Sequence, residues 1–348
     1  SGSDNGAGGS QFQMGGAVQG SELELSANVI AIAGVTGFPG AEDGPGAESL
    51  FNYPWDITTD GVYLYITDDS TIRRIQIDSG MVDTLAGSAG YSGSNDGTGS
   101  ESRFNVPRGI TTDGENLFVS DSYNHTIRKI VINTGVVTTL AGTAGVSGTV
   151  DGDANEAQFN FPTGITTDGK NLYVTSPYSY TIRKVEIVTG QVSVFAGTIG
   201  ISGSTDGAGT DAMFDSIEGI TTDGTSLYVA DSRTIRKISI ASGVVTTLAG
   251  NPNEAGSADG VGMDALFSAP VGVTTDGTNL FVTDNNRTIR KITIDTSIVN
   301  TIAGDPSLIG STDGAGEEAL FNFPIGITTN GINLYVIDSS NSTIREIR

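Results

Sequence analysis

The phrase Thr-Thr-Asp-Gly occurs five times in this chain, with its aspartate at Asp60, Asp113, Asp168, Asp223 and Asp276. A sixth copy carries Asn330 in the same place, and consecutive copies stand 53 to 55 residues apart. A second phrase, Thr-Ile-Arg, keeps the same beat, with its arginine at Arg73, Arg128, Arg183, Arg236, Arg290 and Arg345. A fixed period of this length marks a repeat architecture, in which each unit buries its apolar faces on its neighbours. The chain must therefore be assembled from six like parts.

One part reads clearly between residues 109 and 142. Its runs are short, rich in Ile, Val, Thr, Leu and Phe, and bounded by Gly, Asp or Asn. The spacing predicts four strands at about 109–112, 116–120, 126–132 and 136–141, joined by tight turns as antiparallel neighbours. No unit holds an apolar helical stripe long enough for a crossover helix, which argues against a parallel α/β fold. A four-stranded sheet with two apolar faces buries both only between two other sheets. Six such sheets arranged radially make an all-β, six-bladed β-propeller.

Closure of the ring is also legible. The last unit stops after its third strand, at Arg348. The missing fourth strand stands at the opposite end, as Val-Ile-Ala-Ile-Ala-Gly at 29–34, which aligns with 82–87, 137–142, 192–197, 245–250 and 299–304. The N-terminal strand is thus expected to complete the last blade. This divides the chain into a flexible Gly/Ser-rich segment, 1–28, and a single propeller, 29–348. A segment of that composition suits a chain whose export signal or lipid-anchor cysteine has been removed, and it suits a remnant of recombinant cloning equally. With the Thr-rich strands and the low lysine content, it points to an extracellular, periplasmic or cell-surface protein. No run approaches the roughly 20 apolar residues of a membrane span.

The pattern FNxPxGI, LYVxD, TIRKI and VxTxAG resembles the NHL-repeat family of six-bladed propellers over about residues 29–348. That resemblance implies the fold more firmly than a job, because the family includes extracellular binding domains, RNA-binding domains and an amidating lyase. The RNA-binding branch needs a basic face. Here 17 basic residues oppose 40 acidic ones, for a net charge of -23. Eleven of the 17 are spent on the positions after Thr-Ile, which leaves no dense phosphate-binding stripe. Nucleic acid is therefore not an expected partner. The lyase branch uses histidine-ligated metal, and this chain has one histidine, His125, and no cysteine. Disulfides, thiolate metal sites and a cysteine nucleophile are excluded.

Each blade-to-blade loop carries an Asp-Gly and ends in a phenylalanine: Phe51, Phe104, Phe159, Phe214, Phe267 and Phe321. The phenylalanine is expected to plug the loop into the core. Calcium is the cation these oxygen-bearing loops approach, nearest at Asp151, Asp153 and Asn155. Glu156 then stands where a calcium loop needs glycine, so no cofactor is expected and calcium stays the alternative.

Repetition exposes its exceptions. The middle residue of the Pro-x-Gly motif reads Trp55, Arg108, Thr163, Glu218, Val271 and Ile325 in turn, and Asp56 replaces the glycine of the first copy. This ring, expected at the channel mouth, suits a protein loop or a small polar ligand. A second variable ring, between the second and third strands, places Tyr123, Tyr178 and Tyr180 on adjacent blades. The expectation is a non-catalytic binding or scaffold module. An enzyme of the six-bladed lyase or hydrolase type with a calcium-like cation, and a purely structural unit, are the alternatives.

Overall fold

A computed structural model describes residues 22–348. Six antiparallel sheets form, one per sequence repeat, with strands ordered sequentially from first to fourth. Blade two, for example, comprises Pro107–Thr112, Asn116–Asp121, Thr126–Val131 and Val136–Ala141. The second strand of each blade is buried on both faces, as Asn171–Ser176 and Ser226–Asp231 show. The fourth alternates exposed and buried residues, as befits the outer strand of a sheet. Apolar clusters lie between neighbouring sheets. One joins Tyr228 and Ile235 of blade four to Leu280 and Val282 of blade five, sealed by Phe267.

The last blade closes as expected. Asn28–Ala33 pairs antiparallel with Thr343–Ile347, in the register Val29↔Ile347 and Ala31↔Arg345. Val29 is fully buried against Phe321, Leu334, Val336 and Ile347. The 1–28 segment is described only from Glu22 onward, and its other residues lie outside the described part. Its last residues run along blades five and six: Leu23 is buried, its N–H donates to Asp276 Oδ2 at 3.1 Å, and Glu22 pairs with Lys291 at 2.7 Å.

Five blades carry an extra element that the repeat did not reveal. A two-residue strand from the Asp-Gly loop, such as Gly97–Thr98, pairs outside the fourth strand. In blade three this shrinks to a single bridge, Gly152↔Val192. Two residues without alternating apolar side chains leave no periodic signal.

The repeated arginine explains why the long loops hold their shape. Arg128 is fully buried, and its Nη1 donates to Asp121 Oδ2 at 2.8 Å and to the Arg103 carbonyl at 2.8 Å. Its Nη2 donates to the Asn95 carbonyl at 3.1 Å and to Asp96 Oδ1 at 2.8 Å. The guanidinium sits 5.1 Å from the Phe104 ring centre. Asp96, the aspartate of the loop's Asp-Gly, also accepts the N–H of Thr139 on the outer strand. One cation thereby staples loop, inner strand and outer strand together. The stack on phenylalanine and the bonds to the loop recur in all six blades, with guanidinium-to-ring distances of 5.0 to 5.4 Å, whereas the strand-end aspartate is present in five. Asp151, a calcium candidate from sequence, is the blade-three loop aspartate. Its carboxylate accepts from Arg183 at 2.6 Å and from the Val194 N–H at 3.1 Å, so it holds a staple. Asp153 and Asn155 are exposed in the same loop, where their carbonyls accept from Ala157 and Thr143.

Candidate functional site

The first strands meet at the axis, and glycine is what lets them meet. A Cβ on Gly109, Gly164, Gly219 or Gly272 would collide with the carbonyl of the next blade at Thr163, Glu218, Val271 or Ile325. The residues before three of these glycines, Thr163, Glu218 and Val271, gather round one opening. A cavity of about 40 Å³, room for a slender group rather than a bulky ring, is lined by Trp55, Asp56, Thr163, Glu218, Val271 and Ile325.

The six positions do not contribute alike. Ile325 is fully buried and forms an apolar wall against which Trp55 and Val271 pack. Thr163 is also buried, its hydroxyl 2.8 Å from that of Thr175. These two line the opening as wall rather than rim. Trp55, Arg108, Glu218 and Val271 keep partial exposure. Arg108 lies over the indole of Trp55, 4.3 Å from the ring centre, so cation and ring act as one surface. Its Nε is buried without a hydrogen-bond partner.

The backbone beneath the mouth is tied down on alternate blades. Thr67 Oγ1 donates to the Arg108 carbonyl at 2.7 Å, Thr175 Oγ1 to that of Glu218 at 2.7 Å, and Thr283 Oγ1 to that of Ile325 at 2.6 Å. The corresponding residues of the other blades are Ser120, Ala230 and Ile337, and none of them supplies such a bond.

Asp56 stands where the other five blades have glycine. Its carboxylate lies at the seam with blade two, accepting the N–H of Ile57 at 2.9 Å and of Ile110 at 3.1 Å. Burial pushes this carboxyl up to about 7, and the two N–H donors only partly counter that. Burial also raises Glu218, while the positive charge of Arg108 pulls it back. The mouth thus joins an apolar wall, a stacked indole–guanidinium pair and two carboxylates that are costly to keep ionised.

The second predicted ring divides. Tyr123 and Tyr178 are exposed, and both pack on Phe161, with ring centres 5.2 and 5.1 Å away. His125 meets the same ring edge-on at 4.5 Å, and its Nδ1 accepts the Phe161 N–H at 3.3 Å. Burial lowers the His125 pKa. Tyr180 is half-buried, and its ring makes no stacking contact among the described residues. Phe161 and its counterpart Tyr53 escaped the sequence reading. The residue before the Pro-x-Gly motif varies as much as the one inside it: Tyr53, Val106, Phe161, Ser216, Ala269 and Phe323. The same test of non-equivalence finds it. Four of these residues hold φ between +50° and +87°, a conformation that costs a side-chain-bearing residue of order 1–2 kcal/mol. In blades one to three this strained ring carries Tyr53, Val106 and Phe161, whereas in blades four and five it is small.

Among the described residues, no three His, Asp or Glu side chains converge into a group that would hold a metal ion. No described helix is long and apolar enough to cross a membrane.

No family model matches the chain. Human NHL repeat-containing protein 2 is 30% identical over 292 residues, covering 73% of this chain and 40% of that protein. The Arabidopsis thaliana chloroplastic protein Suppressor of Quenching 1 is 31% identical over 284 residues, covering 75% of this chain and 26% of that one. The chain therefore spans less than half the length of either relative. Among solved structures, an auxiliary nutrient binding protein from Bacteroides thetaiotaomicron superposes with a TM-score of 0.69 at 19% identity, over 92% of this chain and 76% of the other. Six sheets in a closed ring, each built from the same four phrases, and relatives named for those repeats agree: the chain belongs to the NHL-repeat family of six-bladed β-propellers.

Proposed function

We propose that this propeller is a non-catalytic binding module of an exported protein, and that it recognises a protein segment or a small polar ligand at the channel mouth. The observation that carries the reading is chemical inequality at one structural position. Six residues that the fold treats alike supply an indole under a guanidinium, two aliphatic walls, a hydroxyl and a carboxylate. A scaffold has no use for such differences, whereas an oriented ligand does. The narrow opening favours an inserted side chain or a slender polar molecule, with the larger contact made by the surrounding rim. The Bacteroides neighbour is described as nutrient binding, which agrees with a binding role without naming a ligand for this chain. With a net charge of -23, a protein partner should present a neutral or basic surface.

The test is to probe an array of peptides and small polar metabolites with the full chain and with a folded W55A/R108A variant. Hits lost in the variant place binding at the mouth. Hits that survive unchanged move it elsewhere, with Tyr123 and Tyr178 as the next candidates.

A further inference from the structure

Blade three breaks the arginine staple, and the other five blades show what the break leaves behind. In those blades an aspartate closes the second strand: Asp68, Asp121, Asp231, Asp284 and Asp338. Two donors to its carboxylate are common to these five blades. One is the arginine Nη1, at 2.7 to 3.4 Å in four blades and 3.7 Å in blade five. The other is a backbone N–H from the segment entering the first strand, that of Asn52, Asn105, Asp215, Ser268 or Asn322.

Blade three has Ser176 in this place, paired with Thr181 as Asp121 is paired with Thr126. Its arginine is nevertheless retained and buried. Arg183 Nη1 donates to the Gln158 carbonyl at 2.8 Å, and among the described residues its one carboxylate partner is Asp151, which is half exposed. Ser176 is fully buried, and its hydroxyl has no hydrogen-bond partner among the described residues. Asn160 occupies the position of Asn52 and Asn105, so its N–H meets no carboxylate from this strand end. Replacing aspartate by serine removes a negative group of about one water's volume and adds one more donor.

We infer that the Arg183 guanidinium, the Ser176 hydroxyl and the Asn160 N–H together form a buried site for a small monovalent anion of the halide class. The anion stands where the other blades place a carboxylate oxygen. Three donors that lack the strand-end carboxylate of the other blades suit an anion that cannot itself donate a hydrogen bond. A halide also restores the charge balance that the staple has in its neighbours. The loss of one carboxylate is felt by the cation: burial pushes Arg183 below its ordinary pKa, with Asp151 offsetting part of the effect. This site is independent of the channel mouth.

Crystals of the full chain grown with sodium bromide in place of chloride test the assignment. An anomalous peak is expected beside Arg183, Ser176 and Asn160, with none at the five aspartate-bearing staples. In solution, bromide or chloride should raise the melting temperature above that in gluconate of equal ionic strength, because a tightly bound anion stabilises the folded state alone. Ser176→Asp, which installs the carboxylate of the other blades, should melt higher than wild type in gluconate and lose the halide response. Ser176→Ala, which removes one donor without adding charge, should keep a weakened response. Ordered density without anomalous signal would mean water and would overturn the inference. So would an equal halide response in wild type, Ser176→Asp and Ser176→Ala.

Discussion

The arginine staples and the channel mouth each use one position per blade, yet they have opposite histories within a single chain. The staple position holds arginine six times out of six, buried at every copy. The mouth position holds six different residues. The staple must satisfy three requirements at once: a phenylalanine ring behind it, loop carbonyls in front, and aspartates to either side. No other side chain offers a planar fork of five donors that always bears charge. The mouth position answers to the fold chiefly through its backbone, which the preceding blade's glycine and alternate threonines hold in place. At Trp55, Arg108, Glu218 and Val271 the side chain keeps partial exposure and the fold makes little demand on it, whereas Thr163 and Ile325 are buried. Uniformity therefore reports mechanical need, and divergence marks where a partner can impose its own.

The sharpest way to break this contrast is to open the ring. Deleting residues through Gly34 removes the strand whose Ala31 N–H holds the loop aspartate of blade six, Asp313, and whose Val29 is fully buried. The 35–348 chain should aggregate or fail to show a cooperative melt in calorimetry. A 29–348 chain keeps the strand and loses only Leu23 and its neighbours, so it should melt lower by the equivalent of about 1–3 kcal/mol. Equal melting of the two chains would mean that the closing strand is not essential.

Next in size is removal of a staple. Arg128→Met should cost about 3–5 kcal/mol in urea unfolding, because Asp121 is left buried without its cation. Arg183→Met should cost clearly less, since no buried carboxylate is stranded in blade three. Similar losses at both sites would show that the aspartates contribute little.

Asp56 joins the two regions, being a mouth residue that also fills an inter-blade seam. Its folded pKa, about 7, lies above the unfolded value of about 4, so the folded state binds this proton more tightly. Its contribution to stability is complete below pH ~4 and is lost as pH rises through ~7. Asp56→Asn should therefore gain melting temperature relative to wild type as pH increases over that range. A difference that stays flat with pH would show the carboxyl to be ordinary.

The smallest effect on stability belongs to the mouth. Arg108→Ala should cost no more than about 1 kcal/mol, the worth of a partly exposed stack on Trp55. It should nonetheless change binding far more than any staple variant that still folds. A larger loss in urea unfolding would make Arg108 a structural residue.

Much of this was readable along the chain because each repeat writes the same local chemistry. Strand lengths, turn residues, the closing segment 29–34 and the arginine with its loop phenylalanine all recur at a fixed offset. The strand-end aspartates recur at a fixed offset as well, but their partners were not legible. They accept N–H groups from the segment entering the first strand, some 16 residues earlier, rather than from the turn that follows. The site was half legible. Non-equivalence pointed to Trp55, Arg108 and Glu218, and it would have found Tyr53 and Phe161 had it been applied one step outside the Pro-x-Gly motif.

Local pattern assigns each residue to a strand, a face or a turn, because strand periodicity and turn chemistry act over a few residues. It is silent on what happens where first strands from different blades converge, since those contacts join residues a full repeat apart and depend on how tightly the ring closes. Ring closure buries Ile325 and Thr163 while leaving Glu218 partly open. It also lays Arg108 across the indole of the preceding blade, and it presses the one carboxyl among five glycines into a seam where its charge is costly. Those outcomes come from the distance between blades at the axis, which no single repeat contains.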